Sequence, residues 1–155
     1  MPDLPAPIQA FLAGRRIAVA GVSRDPRQAA NAILRKLRAS GYEAVALNPH
    51  VDAVEGGPCY RELAAVPGRV DGVVVATHPD VSASIVRQCA DRGVDRVWFH
   101  RSFGQGSVSD EAVRAGRELR VECIVGGCPL MFCEPVDVGH RFMRWWLQRV
   151  GRVPR

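Results

Sequence analysis

Side chains able to bind an anion follow the first strand-like segment of the chain, in the stretch GVSRDPRQ that begins at Gly21. Ser23 can donate a hydroxyl hydrogen bond, and Arg24 and Arg27 can offer charge and paired N–H groups to a phosphate. Gly21 allows a sharp turn and a close approach of the backbone to a ligand. The pattern predicts a phosphate-binding loop. The alternative is an ordinary strand-to-helix turn whose arginines are only solvated.

A helix is expected directly after this loop. Asp25 followed by Pro26 fits a helix N-cap with proline at the first helical position. The N-terminal amide groups and the positive end of the helix dipole would then face the phosphate. We therefore expect the helix to begin at Pro26.

The second strand ends in ALNPH, with Asn48 and Pro49 at its end. An NAD-binding domain carries Asp or Glu there, to hold the ribose 2′-hydroxyl, and a GxGxxG loop before it. Gly21 stands alone and the acid is missing, so the residues disfavour NAD. A neutral amide and a rigid proline can still border an adenine or a ribose.

The third strand runs into ATHPD, which places Thr77, His78 and Pro79 at its end and Asp80 where it could cap the next helix. The proline leaves a flat surface for a ring or a flexible arm. His78 has two interpretations: a general base, or a hydrogen-bonded structural residue.

Strand-length apolar segments alternate with helical repeats along most of the chain, which predicts an α/β fold. We expect a single domain, 1–155, with a Rossmann-like, doubly wound parallel sheet flanked by helices. Ligands in such sheets bind beyond the carboxyl ends of the strands, where the strand order reverses. The predicted strands are Arg16–Val22, Tyr42–Asn48, Val70–Thr77, Asp95–His100 and Val121–Gly126.

Apolar residues at helical spacing mark the helices, and glycines mark two of their ends. A stripe from Ala30 to Leu37 ends at Gly41, and one from Val81 to Cys89 ends at Gly93. Ser109 is expected to cap a third helix. Residues 1–14 are predicted to form a lead-in helix, EGGPCY a loop, RELAAV a short helix after that loop, and 128–155 a C-terminal extension with a helix at about 137–150.

The stretches GVSRDP, GYEAVALNP, GGPCYREL, VDGVVVATHPD and VDRVWFH together resemble the small, stand-alone CoA-binding protein family. That family is similar to the CoA-binding domain at the N-terminus of the succinyl-CoA ligase α chain. The resemblance covers approximately residues 10 to 125. It implies phosphate contacts at Gly21, Val22, Ser23 and Arg24; adenosine contacts at Asn48, Pro49 and His50; and a ribose or pantetheine path along Thr77, His78 and Pro79.

Coenzyme A carries negatively charged phosphates, which fits the presence of arginines near the first helix, including Arg27. One stretch, VWFHRSFGQGSVS, departs from the family pattern. Its residues Arg101, Gly104, Gly106 and Ser107 either close over the cleft or form a flexible glycine loop before a helix.

The resemblance implies a CoA or acyl-CoA binding module without catalytic activity of its own. Succinyl-CoA ligase uses a phosphorylated histidine in a second domain and a partner chain, so we do not expect this chain to synthesise acyl-CoA alone. The alternative is an NAD(P)- or thiol-dependent enzyme that uses His78 or Cys128. Cys128 would be a cleft-facing nucleophile in that case, and otherwise a small, partly buried turn residue.

The five cysteines are scattered and form no CxxC pair, which predicts free thiols and a reducing cytoplasm. Cys123, Cys128, Cys133 and His140 lack a standard zinc spacing, so no metal is expected. No apolar run approaches the roughly 18 residues of a membrane span.

The net charge of +5 is matched by the five arginines of residues 138–155, which contain no acid. The C-terminal helix carries Val138, Phe142, Trp145 and Trp146 along one side. We expect this side to pack on the domain or on a second subunit, which makes a homodimer plausible. Binding to a membrane surface or to nucleic acid is the less favoured alternative.

Overall fold

The structure is a computed structural model that describes residues 4–101 and 105–153. Within these ranges it contains a seven-stranded sheet and five α-helices. The strands are β1 Arg16–Ala20, β2 Glu43–Leu47, β3 Ala53–Val54, β4 Gly57–Tyr60, β5 Gly72–Val75, β6 Arg96–Phe99 and β7 Glu122–Val125. The helices are α1 Ala6–Leu12, α2 Ala29–Ala39, α3 Pro79–Asp91, α4 Asp110–Leu119 and α5 Val138–Arg149.

The strand order is β3-β4-β2-β1-β5-β6-β7. All neighbours pair in parallel except β3, which runs antiparallel to β4. The chain moves outward from β1 through β2 to the β3–β4 hairpin, and then returns to β5 and continues to the other edge. The order therefore reverses between β1 and β5, and the predicted doubly wound α/β fold is confirmed.

The two faces of the sheet bury separate apolar layers. In β1, Ile17 and Val19 point into the layer covered by α1, α2 and α5, while Ala18 and Ala20 point into the layer covered by α3 and α4. Side chains of a strand alternate between faces, so a strand covered on both sides must be apolar throughout. This requirement explains the near-continuous apolar runs of β1 and β5.

The predicted helix ends are confirmed at three places. Gly41 follows α2 with a φ of +91°, and the next amide, Tyr42, donates to the carbonyl of Leu37 at 3.0 Å. This left-handed glycine satisfies carbonyls that a helix end leaves free. Gly93 closes α3 in the same way. Ser109 caps α4, because its hydroxyl accepts from the amide of Ala112 at 3.1 Å.

Two predictions about the segment between β2 and β5 are wrong. The stretch EGGPCY is no simple loop, since it contains the turn of the β3–β4 hairpin and the whole of β4. The stretch RELAAV forms only a 3₁₀ turn over Leu63–Ala65. Only Leu63 and Val66 of this stretch are buried, which is too little packing to stabilise a longer helix.

The predicted start of α2 is also wrong. The helix begins at Ala29 rather than Pro26, with Gln28 as its N-cap. Asp25 does not cap it, because its carboxylate accepts from the backbone amide and the guanidinium of Arg27. The first loop is therefore longer than the sequence suggests, by about one turn of helix.

The aromatic side of α5 does not pack on its own domain, which corrects that expectation. Phe142 and Trp146 are 64% and 52% exposed, whereas Leu147 on the opposite side is 1% exposed and joins the apolar layer of α1 and α2. Contact of the aromatic side with a second subunit stays a prediction. No helix in the described ranges is long and apolar enough to cross a membrane.

We predict that Leu147→Ala lowers the free energy of unfolding by about 2–5 kcal/mol, because it opens a cavity under α5. Its neighbour Trp146 provides the matched control, and Trp146→Ala should change the free energy by no more than about 0.5 kcal/mol. Chemical denaturation at low protein concentration measures both. Equal losses in the two variants would contradict the orientation of α5.

Candidate functional site

A cavity of about 330 Å³ opens at the carboxyl ends of β1, β2, β4 and β5, where the strand order reverses. This volume lies at the lower end of the roughly 300–1,000 Å³ typical of small-molecule sites. Six of the predicted site residues line it: Gly21, Asn48, Pro49, His50, Thr77 and His78. The structure therefore brings residues of three separate loops to one place.

The other predicted residues lie outside the lining of this cavity. The side chain of Val22 is fully buried in the core. Ser23, Arg24 and Arg27 lie further along the first loop and are not among the lining residues, and Pro79 is the first residue of α3. The phosphate contacts expected of them stay predictions.

Gly21 is required by the packing of the first loop on β5. Its φ is +103°, and a Cβ atom there would lie 2.4 Å from the carbonyl oxygen of Ala76. Any side chain would push the two strand ends apart. The glycine thus permits the predicted sharp turn, and the atom that approaches it so closely is the carbonyl of a neighbouring strand.

Asn31, in the first turn of α2, holds the first loop in place. Its side-chain oxygen accepts from the amide of Ser23 at 3.0 Å, and its side-chain nitrogen donates to the carbonyl of Ser23 at 2.8 Å. The same nitrogen donates to the carboxylate of Glu55 at 2.8 Å. Asn31 is fully buried. No sequence pattern identified it, because its partners lie eight and 24 residues away.

Arg35 extends this network one turn further along α2. Its guanidinium donates to Glu55 at 2.6 Å and to the carbonyl of Pro26 at 3.0 Å. The loop is thus held at both Ser23 and Pro26, so its position is fixed by the helix that follows it.

Asn48 joins the first loop to the second. Its side-chain nitrogen donates to the carbonyl of Val22 at 2.8 Å, and its side-chain oxygen accepts from the amide of His50 at 2.9 Å. Both polar groups of the amide are therefore used within the protein. Asn48 shapes the cavity wall and leaves Pro49 and His50, both exposed, beside the open space.

The two arginines of the first loop differ in their charge environment. Arg27 forms a two-pronged ion pair with Asp25, at 2.9 and 3.1 Å, and these hydrogen bonds lower the pKa of the Asp25 carboxyl. Arg24 is exposed, and among the residues that the structure describes it has neither a hydrogen bond nor an ion pair. It is the arginine of this loop whose charge is available to an anion.

His78 caps α3, which corrects the expectation that Asp80 would do so. The Nδ1 atom of His78 lies 3.4 Å from the amide nitrogen of Asp80 and 3.2 Å from its carboxylate. Asp80 is already inside the helix. This arrangement gives the histidine a structural role at the mouth of the cavity.

The segment after β6 is anchored beside the cavity. Ser107 is buried; its hydroxyl donates to the carbonyl of Thr77 at 2.6 Å, and its amide donates to His100 at 2.9 Å. A Cβ atom on Gly106 would lie 2.4 Å from the same His100 carbonyl. Arg101 pairs with Gly127, and Gly104 lies outside the described residues. Closure of this segment over the cavity stays a prediction.

Cys128 does not face the cavity, which corrects the expectation of a cleft-facing thiol. It is 2% exposed and packs in the layer of Met131 and Phe132. Burial raises the pKa of the Cys128 thiol to about 12, so the thiolate is scarce at neutral pH. Within the described ranges no group of three or more histidine, cysteine or acidic side chains is arranged to hold a metal ion.

Sequence reasoning missed the wall that β4 and α3 contribute. Arg61 and Glu62 follow β4, and Ile85 and Gln88 lie on α3; all four line the cavity. The sequence pattern indicates only that Ile85 belongs to the apolar stripe of α3. Arg61 could have been found only by predicting β4, because its place at the sheet edge depends on that strand.

We predict that Asn31→Ala frees the first loop, because the amide and carbonyl of Ser23 lose their partners. Each unsatisfied buried group costs about 1–3 kcal/mol of unfolding free energy. Hydrogen exchange should accelerate at the amides of residues 22–28. Gln28→Ala, at the exposed start of the same helix, is the matched control and should leave exchange unchanged. Unaltered protection in the Asn31 variant would contradict the role of this side chain.

We predict that Cys128 resists alkylation in the native protein at pH 7 to 8, because its raised pKa and its burial both oppose attack. Iodoacetamide followed by peptide mass spectrometry gives the extent of modification at each cysteine. Unfolding in guanidinium should expose Cys128 fully. Rapid labelling of Cys128 in the folded chain would restore the thiol-enzyme alternative.

Comparisons with known proteins agree with this architecture. Over 110 residues the chain is 26% identical to the α subunit of the ADP-forming acetate–CoA ligase II of Pyrococcus furiosus, covering 70% of this chain and 24% of that protein. An uncharacterized protein of Bacillus subtilis is 25% identical, covering 74% of this chain and 82% of its own length. The chain thus spans about a quarter of the first relative and about four fifths of the second.

A solved structure of a conserved hypothetical protein from Pyrococcus furiosus superposes with a TM-score of 0.67 at 32% identity, covering 74% of this chain and 96% of that one. The family described as the CoA binding domain matches residues 15–134. That range takes in all seven strands, the Gly21 loop and the cavity walls. The chain therefore belongs to the CoA binding domain family.

Proposed function

We propose that this chain binds coenzyme A, free or acylated, in the cavity at the reversal point of the sheet. The phosphates lie along the loop 21–27, the adenosine lies by 48–50, and the pantetheine arm passes 77–79. The observation that carries the proposal is the placement of these three loops around one cavity in a member of the CoA binding domain family.

The first loop supports a site for the diphosphate. Arg24 is exposed and carries an available charge, and Arg27 can exchange its partner Asp25, whose side chain is 35% exposed, for a phosphate. Gln28, the N-cap of α2, makes no side-chain capping hydrogen bond. An anion at the start of this helix would interact favourably with the amide groups that a helix leaves unpaired there.

The second loop favours CoA over NAD as the ligand. NAD-binding domains present a carboxylate after the second strand to hold the ribose hydroxyls. Here Asn48 takes that position, and its amide already bonds Val22 and His50. The acid that does line the cavity, Glu62, follows β4 instead. No carboxylate thus stands at the end of β2, where it would oppose a phosphorylated ribose.

The apolar part of the cavity lining suits an uncharged arm of the ligand. Leu47, Val81 and Ile85 contribute apolar surface there. Cavities for cofactors are mostly apolar, with a few polar groups that fix orientation. A pantetheine arm, or a short acyl chain at its end, has matching chemistry.

We propose that the module holds its ligand without catalysing a reaction of its own. Among the candidate nucleophiles and bases, Cys128 is buried away from the cavity and His78 caps α3. The acetate–CoA ligase subunit of Pyrococcus furiosus is a relative of which this chain spans about a quarter. We assign to this chain only the binding of CoA.

Calorimetric titration with CoA, dephospho-CoA and NAD tests the proposal. CoA should bind in the micromolar range, dephospho-CoA more weakly, and NAD not at all. Arg24→Glu should lower CoA affinity by about tenfold or more, the usual worth of one charge-assisted hydrogen bond. Arg15→Glu is the matched control, since Arg15 is exposed before β1, at the opposite end of the sheet. Tight NAD binding, or no binding of any of the three, would overturn the proposal.

A further inference from the structure

One arginine, Arg61, is itself among the described residues that line the cavity, on the side of β4. Arg61 is the residue directly after β4, and β4 lies parallel to β2 with Leu47 opposite Tyr60. This register sets Arg61 level with Asn48, and the amide of Asn48 donates to the carbonyl of Tyr60 at 2.9 Å. Arg61 therefore lines the same cavity as Pro49 and His50.

The charge of Arg61 is only loosely held. Its guanidinium donates to the carboxylate of Asp52 at 3.2 and 3.4 Å, and the two side chains are 70% and 80% exposed. Ion pairs as exposed as this one contribute little to stability, so a doubly charged anion can replace the carboxylate. Glu62 lines the cavity next to Arg61, and His50 lines it in the loop after β2.

Arg24 and Arg61 are both exposed and follow different strands. Each can therefore bind a different phosphate group of the same ligand. Arg24 lies on the loop after β1, and Arg61 lies two strands further out, beyond β2. A ribose placed by 48–50 stands between them. A phosphate attached to that ribose would point toward the outer strand, away from the diphosphate.

We propose that Arg61 is the specificity-determining residue that recognises the ribose phosphate of coenzyme A, and that Asp52 holds its guanidinium at the cavity mouth until the ligand arrives. This inference rests on the proposed function. The planar guanidinium can bind two phosphate oxygens at once, which a single point charge cannot do. Arg24 supplies affinity for any diphosphate nucleotide, and Arg61 supplies preference for the phosphorylated ribose.

Titration of three variants with CoA and with dephospho-CoA separates these roles. Arg61→Gln should lower CoA affinity by about tenfold and leave dephospho-CoA affinity unchanged, because only CoA carries the ribose phosphate. Arg24→Gln should lower both affinities by the same factor. Arg15→Gln, the exposed control at the other end of the sheet, should change neither. Thermal unfolding verifies that each variant is folded.

The CoA and dephospho-CoA affinities of an Asp52→Asn variant provide a second, independent test. The substitution removes the competing carboxylate, so CoA affinity should hold or rise while dephospho-CoA affinity stays constant. A fall in CoA affinity in this variant would overturn the inference that the ribose phosphate replaces the Asp52 carboxylate on Arg61.

The outcomes distinguish the two proposals. If the natural chain binds neither ligand, the proposed function fails. If it binds CoA, and Arg61→Gln leaves the ratio of CoA to dephospho-CoA affinity unchanged, the function stands and the assignment of Arg61 is overturned.

Discussion

The buried side chain of Asn31 is the constraint on which the site depends. One amide group joins the first loop at Ser23, the helix α2 that carries it, and Glu55 in the turn of the β3–β4 hairpin. Glu55 has a left-handed backbone, with a φ of +52°, and Arg38 donates to its carbonyl at 2.8 Å. A polar group buried this deeply is costly unless all its bonds are made. The network therefore fixes one arrangement of loop and hairpin.

The remaining walls of the cavity are tied to each other through the backbone. Gly21 packs against the carbonyl of Ala76, Asn48 bonds the carbonyl of Val22, and Ser107 bonds the carbonyl of Thr77. The contacts of Gly21 and Asn48 join strand ends, and the contact of Ser107 joins the end of β5 to the segment after β6. Walls fixed before binding reduce the ordering cost of association. The walls of the cavity are thus fixed by contacts within the protein.

Local sequence signals predicted five of the seven strands, the glycine ends of α2 and α3, and the three loops, because apolar runs and left-handed glycines act within a few residues. The β3–β4 hairpin could not be predicted in this way. Gly57 and Pro58 are poor strand formers, and the hairpin depends on bonds from α2 to Glu55. Arg61 was missed with it. The spacing in α5 predicted an aromatic stripe, but only packing decides that Leu147 faces inward and Trp146 outward.

The placement of the cysteines agrees with a site that holds a thioester. Within the described ranges, no cysteine lines the cavity. Burial raises the pKa of Cys89 and Cys128 to about 12 and that of Cys123 and Cys133 to about 11. A thioester is attacked by thiolates, and these thiols are protonated at neutral pH. An acyl group carried on CoA, as proposed, would therefore lie against apolar side chains, with no cysteine among the described residues that line the cavity.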